Sequence, residues 1–448
     1  MLKLKGYNNK NVGVLGLGIS GMSAYECLQS AGANVIVWDD NLKDIKSSVR
    51  LTPIDDQKWL EIEELVISPG IPHRSSNAHP LINKLNKQCK IFCDIELFYK
   101  HLEDNNKTIA ITGTNGKSTT TALVGHIINE CGLEAKICGN IGVAVTSVAI
   151  SKNCTYILEL SSYQLDKLID AKFNISALTN ITPDHLVMHG GMEGYIQAKK
   201  KIFSHQGAED YSIVCIDDGD CMRLYRELSA SSNKQKVIPV SKRNILNNGI
   251  SLVNGVIYDG YFTKNSVEFM QPISLSGAHN SENVIIAIAA CLSFGLKIEQ
   301  IKNAISSFQS LEHRAEFVGE YKGVKFINDS KGTNFESTRH CLAAFKNIHW
   351  ILGGVAKEGG IDGFDGYKEN IKSAYLIGQS QDQFAKNLSK VLPYHKCGDL
   401  YSAFKLAMQS AVEGDVILLS PSCASFDQWK NFEERGKAFK KLFAQLNA

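Results

Sequence analysis

Residues 108–124 read TIAITGTNGKSTTTALV. The β-branched run Ile109-Ala110-Ile111 predicts a strand that enters a turn at Gly113-Thr114-Asn115-Gly116. Lys117 and Ser118 then open a segment whose apolar residues Leu123, Val124, Ile127 and Ile128 recur at helical spacing. Strand, glycine loop and helix in that order make a phosphate cradle. Glycines admit backbone N–H groups to phosphate oxygens, and the helix N-terminus adds roughly half a positive charge. Lys117 is placed to reach terminal phosphates, and the Ser118 hydroxyl to ligate Mg²⁺. The loop is shorter than the full G-x-x-x-x-G-K-[ST] pattern, with Ile111 where the first glycine would stand. An ordinary strand–helix turn is the competing reading, since a bare Gly-Lys-Ser is common by chance.

The chain around this loop has 448 residues, enough for roughly two to four domains, each with its own core. It carries 48 basic and 46 acidic residues, a formal charge of +2, with no basic stripe or tail, so nucleic acid is not an expected partner. No apolar run approaches the ~18 residues of a membrane span, and the first residues lack an apolar signal core. Twelve cysteines are scattered without a CxxC pair, Cys89 and Cys93 being the tightest spacing. Reduced, buried thiols fit this pattern better than zinc or disulfides. A soluble cytoplasmic protein is expected.

Upstream, Val12–Gly18 predicts a buried strand ending in the G-x-G-x-x-G turn Gly16-Leu17-Gly18-Ile19-Ser20-Gly21. A helix follows to about Gly32, then the strand Asn34–Trp38 ends in Asp39-Asp40. This is a dinucleotide-type fingerprint, with an acid for a ribose hydroxyl. A solvated strand end is the alternative for the two aspartates. A further strand ends at Ser68-Pro69-Gly70, a turn of the kind that lines the ligand crevice of an open α/β sheet. Glu103–Lys107 reads as a polar linker before the second glycine loop. Two nucleotide-type loops point to an enzyme handling two phosphate-bearing molecules, where a simple dehydrogenase would need one.

Downstream, Glu159 falls at the end of an apolar strand, where a carboxylate must be paired or bound to metal. The strand Ala177–Asn180 leads to Asp184-His185. In the predicted helix Tyr195–Phe203, Ile196, Lys199, Ile202 and Phe203 share a face, so Lys199 points inward while Lys200 and Lys201 face water. A snorkelling lysine is the bland alternative. Residues 251–271 alternate as a hairpin-rich insertion. Asn280 and Asn283, three apart at the start of an apolar helix, suit a flat polar ligand, or else an N-cap and a surface amide. After Phe308 strands and helices alternate again, predicting a third mostly parallel sheet. Its strand ends carry Asp329, Lys331, Lys357 and Ser425, and the gathered cations fit a small anionic substrate.

The ordered segments GLGISG, GTNGKST, ELSSYQL, NITPDHL, AHNSEN, EHRAE, NDSKGTN, LGG and SPSCASFDQWKNFEERG together resemble the Mur ligase family over nearly the whole chain. The resemblance is closest to its D-glutamate-adding branch. It implies an α/β protein of three domains. A Rossmann-like domain (1–101) would bind a UDP-substrate, a central P-loop-type ATPase domain (102–309) ATP, and a Rossmann-like C-terminal domain (310–448) the amino acid. It implies ATP-dependent joining of D-glutamate to UDP-N-acetylmuramoyl-L-alanine through an acyl phosphate, with two Mg²⁺ ions and no membrane partner. Nothing in the sequence requires a dimer, and a monomer is expected.

By the same resemblance Gly113, Thr114, Asn115, Gly116, Lys117, Ser118 and Thr119 form the ATP phosphate loop. Asn280 and Asn283 lie at the adenine, Arg314 at a phosphate and Asp329 at the ribose. Ser118, Glu159 and His185 are metal ligands, and Lys199 is the lysine whose carbamate holds the second ion; Lys117, His185 and Lys199 are catalytic. Gly18, Ile19, Ser20, Asp39, Asp40 and Gly70 serve the UDP end, so the first loop holds UDP rather than NAD. Asn140, Ser161 and Gln164 serve the muramoyl-alanine end. Lys331, Thr333, Lys357, Ser425 and Phe432 form the D-glutamate pocket. One position departs from the family: the usual D-H-L-D reads Asp184-His185-Leu186-Val187. Sibling ligases for other amino acids, an NAD-dependent oxidoreductase and a non-catalytic nucleotide-binding module are the rival readings.

Overall fold

Runs such as Leu65–Ile67 and Val416–Leu419, apolar without alternation, suit strands covered on both faces. Both are fully buried strands in the computed structural model. The structure describes residues 1–41, 49–74, 78–85, 87–232, 234–275, 277–356 and 359–446. The chain forms two compact units: Met1–Phe269 with Glu282–Ile305, and Met270–Ser281 with Ser306–Ala448.

The first unit holds two sheets. Strands β1 (Asn11–Leu15), β2 (Asn34–Trp38), β3 (Glu64–Ile67) and β4 (Lys90–Phe92) are all parallel, in the order β2-β1-β3-β4. They alternate with helices α1 (Ile19–Ser30), α2 (Pro80–Leu85) and α3 (Asp94–Tyr99). The second sheet comprises β5 (Lys107–Thr112), β6 (Ala135–Gly139), β7 (Thr155–Glu159), β8 (Ile175–Leu178), β9 (Tyr211–Cys215), β10 (Lys236–Ser241), β11 (Ile250–Val253), β12 (Val256–Asp259) and β13 (Asn265–Glu268). Its order is β13-β12-β11-β10-β9-β8-β5-β7-β6. Only β11-β12-β13 pair antiparallel, so the hairpin-rich stretch extends the sheet edge. Its helices are α4 (Lys117–Glu130), α5 (Ser162–Leu165), α6 (Leu186–His189), α7 (Met192–Lys200), α8 (Gly219–Ser229), α9 (Ala278–Phe294) and α10 (Ile298–Ser306). The helix expected over Tyr195–Phe203 begins earlier, at Met192, and tightens into a 3₁₀ turn at Lys201–Phe203.

Apolar burial joins these two sheets. Cys93, Ile95 and Phe98 of the first lie in one cluster with Tyr156, Leu158 and Leu178 of the second. The Phe98 and Tyr156 rings meet edge to face at 5.1 Å. Ion pairs add direction. The fully buried Asp166 carboxylate, just after α5, takes His73 at 2.7 Å, Arg74, and Lys201 at 3.6 Å. Burial alone would raise the Asp166 pKa, but the His73 hydrogen bond and the neighbouring Arg74 and Lys201 charges outweigh it and hold it at about 2. The folded value lies below the unfolded one, so this contribution is present above about pH 4 and is lost as pH falls toward 2. Asp166→Asn is expected to destabilise the protein at pH 7 by roughly 1–3 kcal/mol. The difference should shrink in acid, and denaturant melts at pH 7 and pH 3 check it.

The second unit holds β14 (Glu316–Tyr321), β15 (Val324–Asn328), β16 (Ile348–Gly353), β17 (Val355–Ala356), β18 (Ile371–Ile377), β19 (Tyr394–Gly398), β20 (Val416–Leu419) and β21 (Cys423–Ala424). Six of them form the order β14-β15-β20-β16-β18-β19, antiparallel only at β14-β15, while β17 and β21 make a separate ribbon. Helices α11 (Phe335–Ala344), α12 (Gln381–Leu388), α13 (Leu400–Ser410) and α14 (Phe432–Ala444) complete the unit. Among the described residues no helix is long and apolar enough to cross a membrane. All twelve cysteines are free and nine are buried, as their spacing suggested.

Candidate active site

Strand β5 lies between β8 and β7, an interior strand paired in parallel on both sides. The loop after it is the phosphate cradle the sequence predicts. Gly116 has φ +82° and caps α4; a Cβ there would stand 2.1 Å from Asn283 Oδ1. A Cβ at Gly113 would stand 1.8 Å from Thr179 Oγ1. The loop is also held from outside. The Thr114 and Asn115 N–H groups donate to Asn180 O and Oδ1, both at 2.9 Å. Asn180 Nδ2 and Thr179 Oγ1 donate to Asn115 O at 3.2 and 2.6 Å. Asn180 Nδ2 also donates to Glu282 Oε1 at 2.5 Å, and Glu282 pairs with Lys242 at 2.9 Å. Sequence reading missed Thr179, Asn180, Lys242 and Glu282, which lie about 60 to 170 residues from the loop they brace. The strand ending at Asn180 was the one signal that could have found them.

Lys117 folds over its own loop, its Nζ donating to Gly113 O at 2.9 Å and Thr114 O at 2.7 Å. Ser118 is buried and Thr119 half-buried at the start of α4. Lys199 points inward as its face predicts and is 1% exposed. Its Nζ donates to Gly113 O at 2.6 Å and sits 4.5 Å from the Tyr195 ring centroid. Burial, then the Lys117 charge, hold its pKa well below the lysine range. Lys200 pairs with Glu227, and Lys201 turns to Asp166 instead of facing water alone.

Glu159 ends β7 at 2% exposure. Its Oε1 accepts from Asn140 Nδ2 at 2.6 Å, and its buried Oε2 has no hydrogen-bond partner. No salt bridge takes Glu159 among the described residues. His185 stands at φ +53° before α6, half-exposed, with Nε2 3.4 Å from Asp184 Oδ2. Among the described residues no three His, Cys, Asp or Glu side chains are gathered to hold a metal ion. Ser161 and Gln164 form a capping box at α5, so the contacts they make here are structural.

At the first sheet, Gly18 and Gly70 are exposed, Ile19 is 85% exposed, and Ser20 lies half-buried in the first turn of α1. Asp39 shapes this loop, accepting from the Leu17 N–H at 2.5 Å and the Asn41 N–H at 2.7 Å. Asp40 accepts from Trp38 Nε1 at 2.8 Å and faces His79.

In the second unit Lys331 and Phe432 come together, Nζ lying 5.0 Å from the ring centroid. The Thr333 N–H donates to Lys331 O at 2.8 Å. Ser425 is 2% exposed and its Oγ has no partner. Lys357 lies outside the described residues; Ala356 before it pairs with Cys423 in the β17-β21 ribbon. Asp329 is buried, accepting from Ser420 Oγ at 2.6 Å and the Ala315 N–H at 3.2 Å. Burial pushes its pKa to about 6 against those bonds. Arg314 is half-buried beside it. Asn280 is buried in the second unit, and Asn283 in the first accepts from Thr120 Oγ1 at 3.3 Å.

Residues 111–291 match the model of the Mur ligase middle domain, and residues 313–423 that of the Mur ligase glutamate ligase domain. A UDP-N-acetylmuramoylalanine–D-glutamate ligase of Rickettsia bellii is 41% identical over 98% of this chain and 99% of its own. The protein of that name from Caulobacter sp. strain K31 is 38% identical over 98% and 97%. The chain belongs to the Mur ligase family. Solved Mur ligases share its fold at low identity. The UDP-N-acetylmuramate–alanine ligase of Thermotoga maritima superposes with a TM-score of 0.59 at 15% identity, covering 97% of this chain and 99% of that one. The same organism's MurF ligase, solved with ADP, gives 0.59 at 14% identity, covering 99% and 98%.

In this Mur ligase the departure at Val187 is exposed. Its side chain is 85% accessible on the short helix α6. Val187→Asp is therefore expected to change stability by less than about 0.5 kcal/mol, as for a surface substitution. Denaturant melts of the two proteins check this.

Proposed function

We propose that this Mur ligase joins D-glutamate to UDP-N-acetylmuramoyl-L-alanine at the expense of ATP, acting as a monomer in cytoplasmic peptidoglycan precursor synthesis. The observation that carries the reading is the buried Lys199 Nζ, 2.6 Å from Gly113 O of the phosphate loop. The D-glutamate ligase name shared by relatives at 37–41% identity supports the choice of amino acid. The division into UDP-substrate (1–101), ATP (102–309) and amino-acid (310–448) domains is part of this proposal.

A carboxylate is a poor electrophile, so amide formation begins with activation. The L-alanyl carboxylate attacks the γ-phosphorus of ATP, the bond to the β,γ-bridging oxygen breaks, and ADP leaves. The D-glutamate amine then attacks the acyl carbon, phosphate leaves, and the amine loses a proton. Gly113–Ser118 N–H groups cradle the phosphates, and Lys117, swinging off its own loop, offsets their charge together with Arg314. Asn283 and Asn280 serve the adenine, Asp329 the ribose. Lys331, Thr333, Lys357, Ser425 and Phe432 hold the amino acid; Asn140, Ser161 and Gln164 face the muramoyl-alanine end. Gly18, Ile19, Ser20, Asp39, Asp40 and Gly70 hold the UDP.

The orphan Glu159 oxygen supports a bound cation, and the proposal extends this to two Mg²⁺ ions. A buried carboxylate oxygen without a partner, as in Glu159, is costly unless a cation meets it. Ser118, Glu159, His185 and a carbamate on Lys199 would hold the ions, which offset the charge crowding at the transferred phosphoryl. Carbamate formation needs a neutral amine, and burial together with the Lys117 charge shifts Lys199 in that direction.

The test is phosphate release with ATP, Mg²⁺ and UDP-N-acetylmuramoyl-L-alanine, comparing D-glutamate, L-glutamate, L-alanine and meso-diaminopimelate. Release that needs D-glutamate, with the product mass, is the expected result. Release with another amino acid would move the protein to a sibling activity, and none with any would overturn the reading.

A further inference from the structure

We infer that Arg435 is a positioning residue for the amino-acid pocket, tying the three chain segments that build it into one shape. The inference rests on the proposed amino-acid site and names a residue that reading does not include. Arg435 lies in the first turn of α14 and is 0% exposed, the one fully buried guanidinium among the described residues. Its Nε donates to Ser330 Oγ at 3.0 Å. One terminal nitrogen donates to Ser330 O at 2.8 Å and to Cys423 O at 3.1 Å. Ser330 Oγ donates onward to Phe432 O at 2.8 Å.

The bonded residues adjoin the pocket. Ser330 precedes Lys331 and Thr333, Cys423 lies two residues before Ser425, and Phe432 faces the Lys331 ammonium. A buried charge is expensive to hold, and an apolar side chain of similar volume would serve packing as well or better. The planar fork does what an apolar group cannot: it fixes two strand-end loops and a helix start at hydrogen-bond distance of one another. Asp329 and Asp427 attract the guanidinium without either pairing with it directly, and burial lowers its pKa to about 10. Its second terminal nitrogen has no partner, so the cation is secured by the pocket segments themselves.

Loosening this tie displaces Lys331, Ser425 and Phe432 relative to each other, while the loop Gly113–Ser118 and the Asp329 bonds to Ser420 and Ala315 take no part in it. The experiment uses the full chain, with KM for amino acid, ATP and UDP-substrate measured for the parent, Arg435→Lys and Ser330→Ala, alongside melting temperature. Lysine keeps the charge but not the fork; Ser330→Ala removes only the hydroxyl link. The expected result for Arg435→Lys is an amino-acid KM raised at least ~10-fold, with ATP KM within about twofold. Ser330→Ala should shift the same way by less. An unchanged amino-acid KM in both, or an equal rise for ATP, overturns the inference. If Arg435→Lys does not fold, Ser330→Ala decides alone: a selective rise supports the tie and no rise overturns it. The parent is assayed with each of the four amino acids first. Failure of D-glutamate there counts against the substrate, while the Arg435 test proceeds with whichever amino acid supports turnover.

Discussion

Lys199→Ala is expected to lower substrate-dependent phosphate release by ~10²–10³-fold, the range seen when one group that stabilises transition-state charge is removed. The side chain is wholly inside, on the packed face of α7, with Nζ on the carbonyl of Gly113. Lys117 donates to that same carbonyl, so two lysine amines converge on one loop oxygen. Packing does not require an amine at this position, and its charge opposes folding. Unfolded lysine keeps its proton to about pH 10.4, whereas the buried amine releases it earlier. Between those values the unfolded chain holds more protons, so stability rises with pH and the burial cost is largest in acid. Lys199→Met should therefore melt no lower than the parent at pH 7 while losing activity, a trade of stability against function. Short carboxylates such as formate or acetate, added to Lys199→Ala, should restore part of the rate by filling the space of the carbamate. Full activity in Lys199→Ala would remove the lysine from the mechanism. A dead variant that no carboxylate rescues, with its melting temperature intact, would leave the ammonium rather than a carbamate as the working group.

Gly116→Ala should raise the KM for ATP at least ~10-fold and leave the KM for the amino acid unchanged. Two effects act together. A left-handed backbone costs a residue with a Cβ roughly 1–2 kcal/mol, a factor of ~5–30. In addition the new Cβ would stand 2.1 Å from Asn283 Oδ1, which must leave Thr120 to make room. Gly132→Ala separates the two. It carries a similar φ of +77° past the far end of the same helix, with open space around its Cβ position. It is expected to melt lower with an unaltered ATP KM. Equal ATP KM values in the two variants would mean that the shape of the phosphate loop does not depend on Gly116.

Much of this protein is legible in one dimension. The 109–128 pattern fixes strand, loop and helix because each is specified locally: β-branched residues, then glycines, then apolar residues at helical spacing. The inward turn of Lys199 also follows from spacing alone, since consecutive lysines cannot share a helical face. The mostly parallel third sheet follows from strands alternating with helices, and the burial of the thiols from their scatter. Strand order and pairing were out of reach, because they depend on crossovers between residues far apart in sequence. So was the bracing of the phosphate loop by Asn180, Glu282 and Lys242, whose partners no local period links. Asp166 drawing Lys201 away from solvent is a third case: only the approach of His73 and Arg74 creates the buried anion site that attracts it. Asp39 and Asp329, read in sequence as ligand contacts, also accept from nearby N–H and hydroxyl groups, bonds that the sequence does not show. Local periodicity determined which residues face inward and where the loops fall. Tertiary structure decided which of the inward polar groups have partners, because a buried donor or acceptor is satisfied by whatever the fold brings within about 3 Å, whatever its distance along the chain.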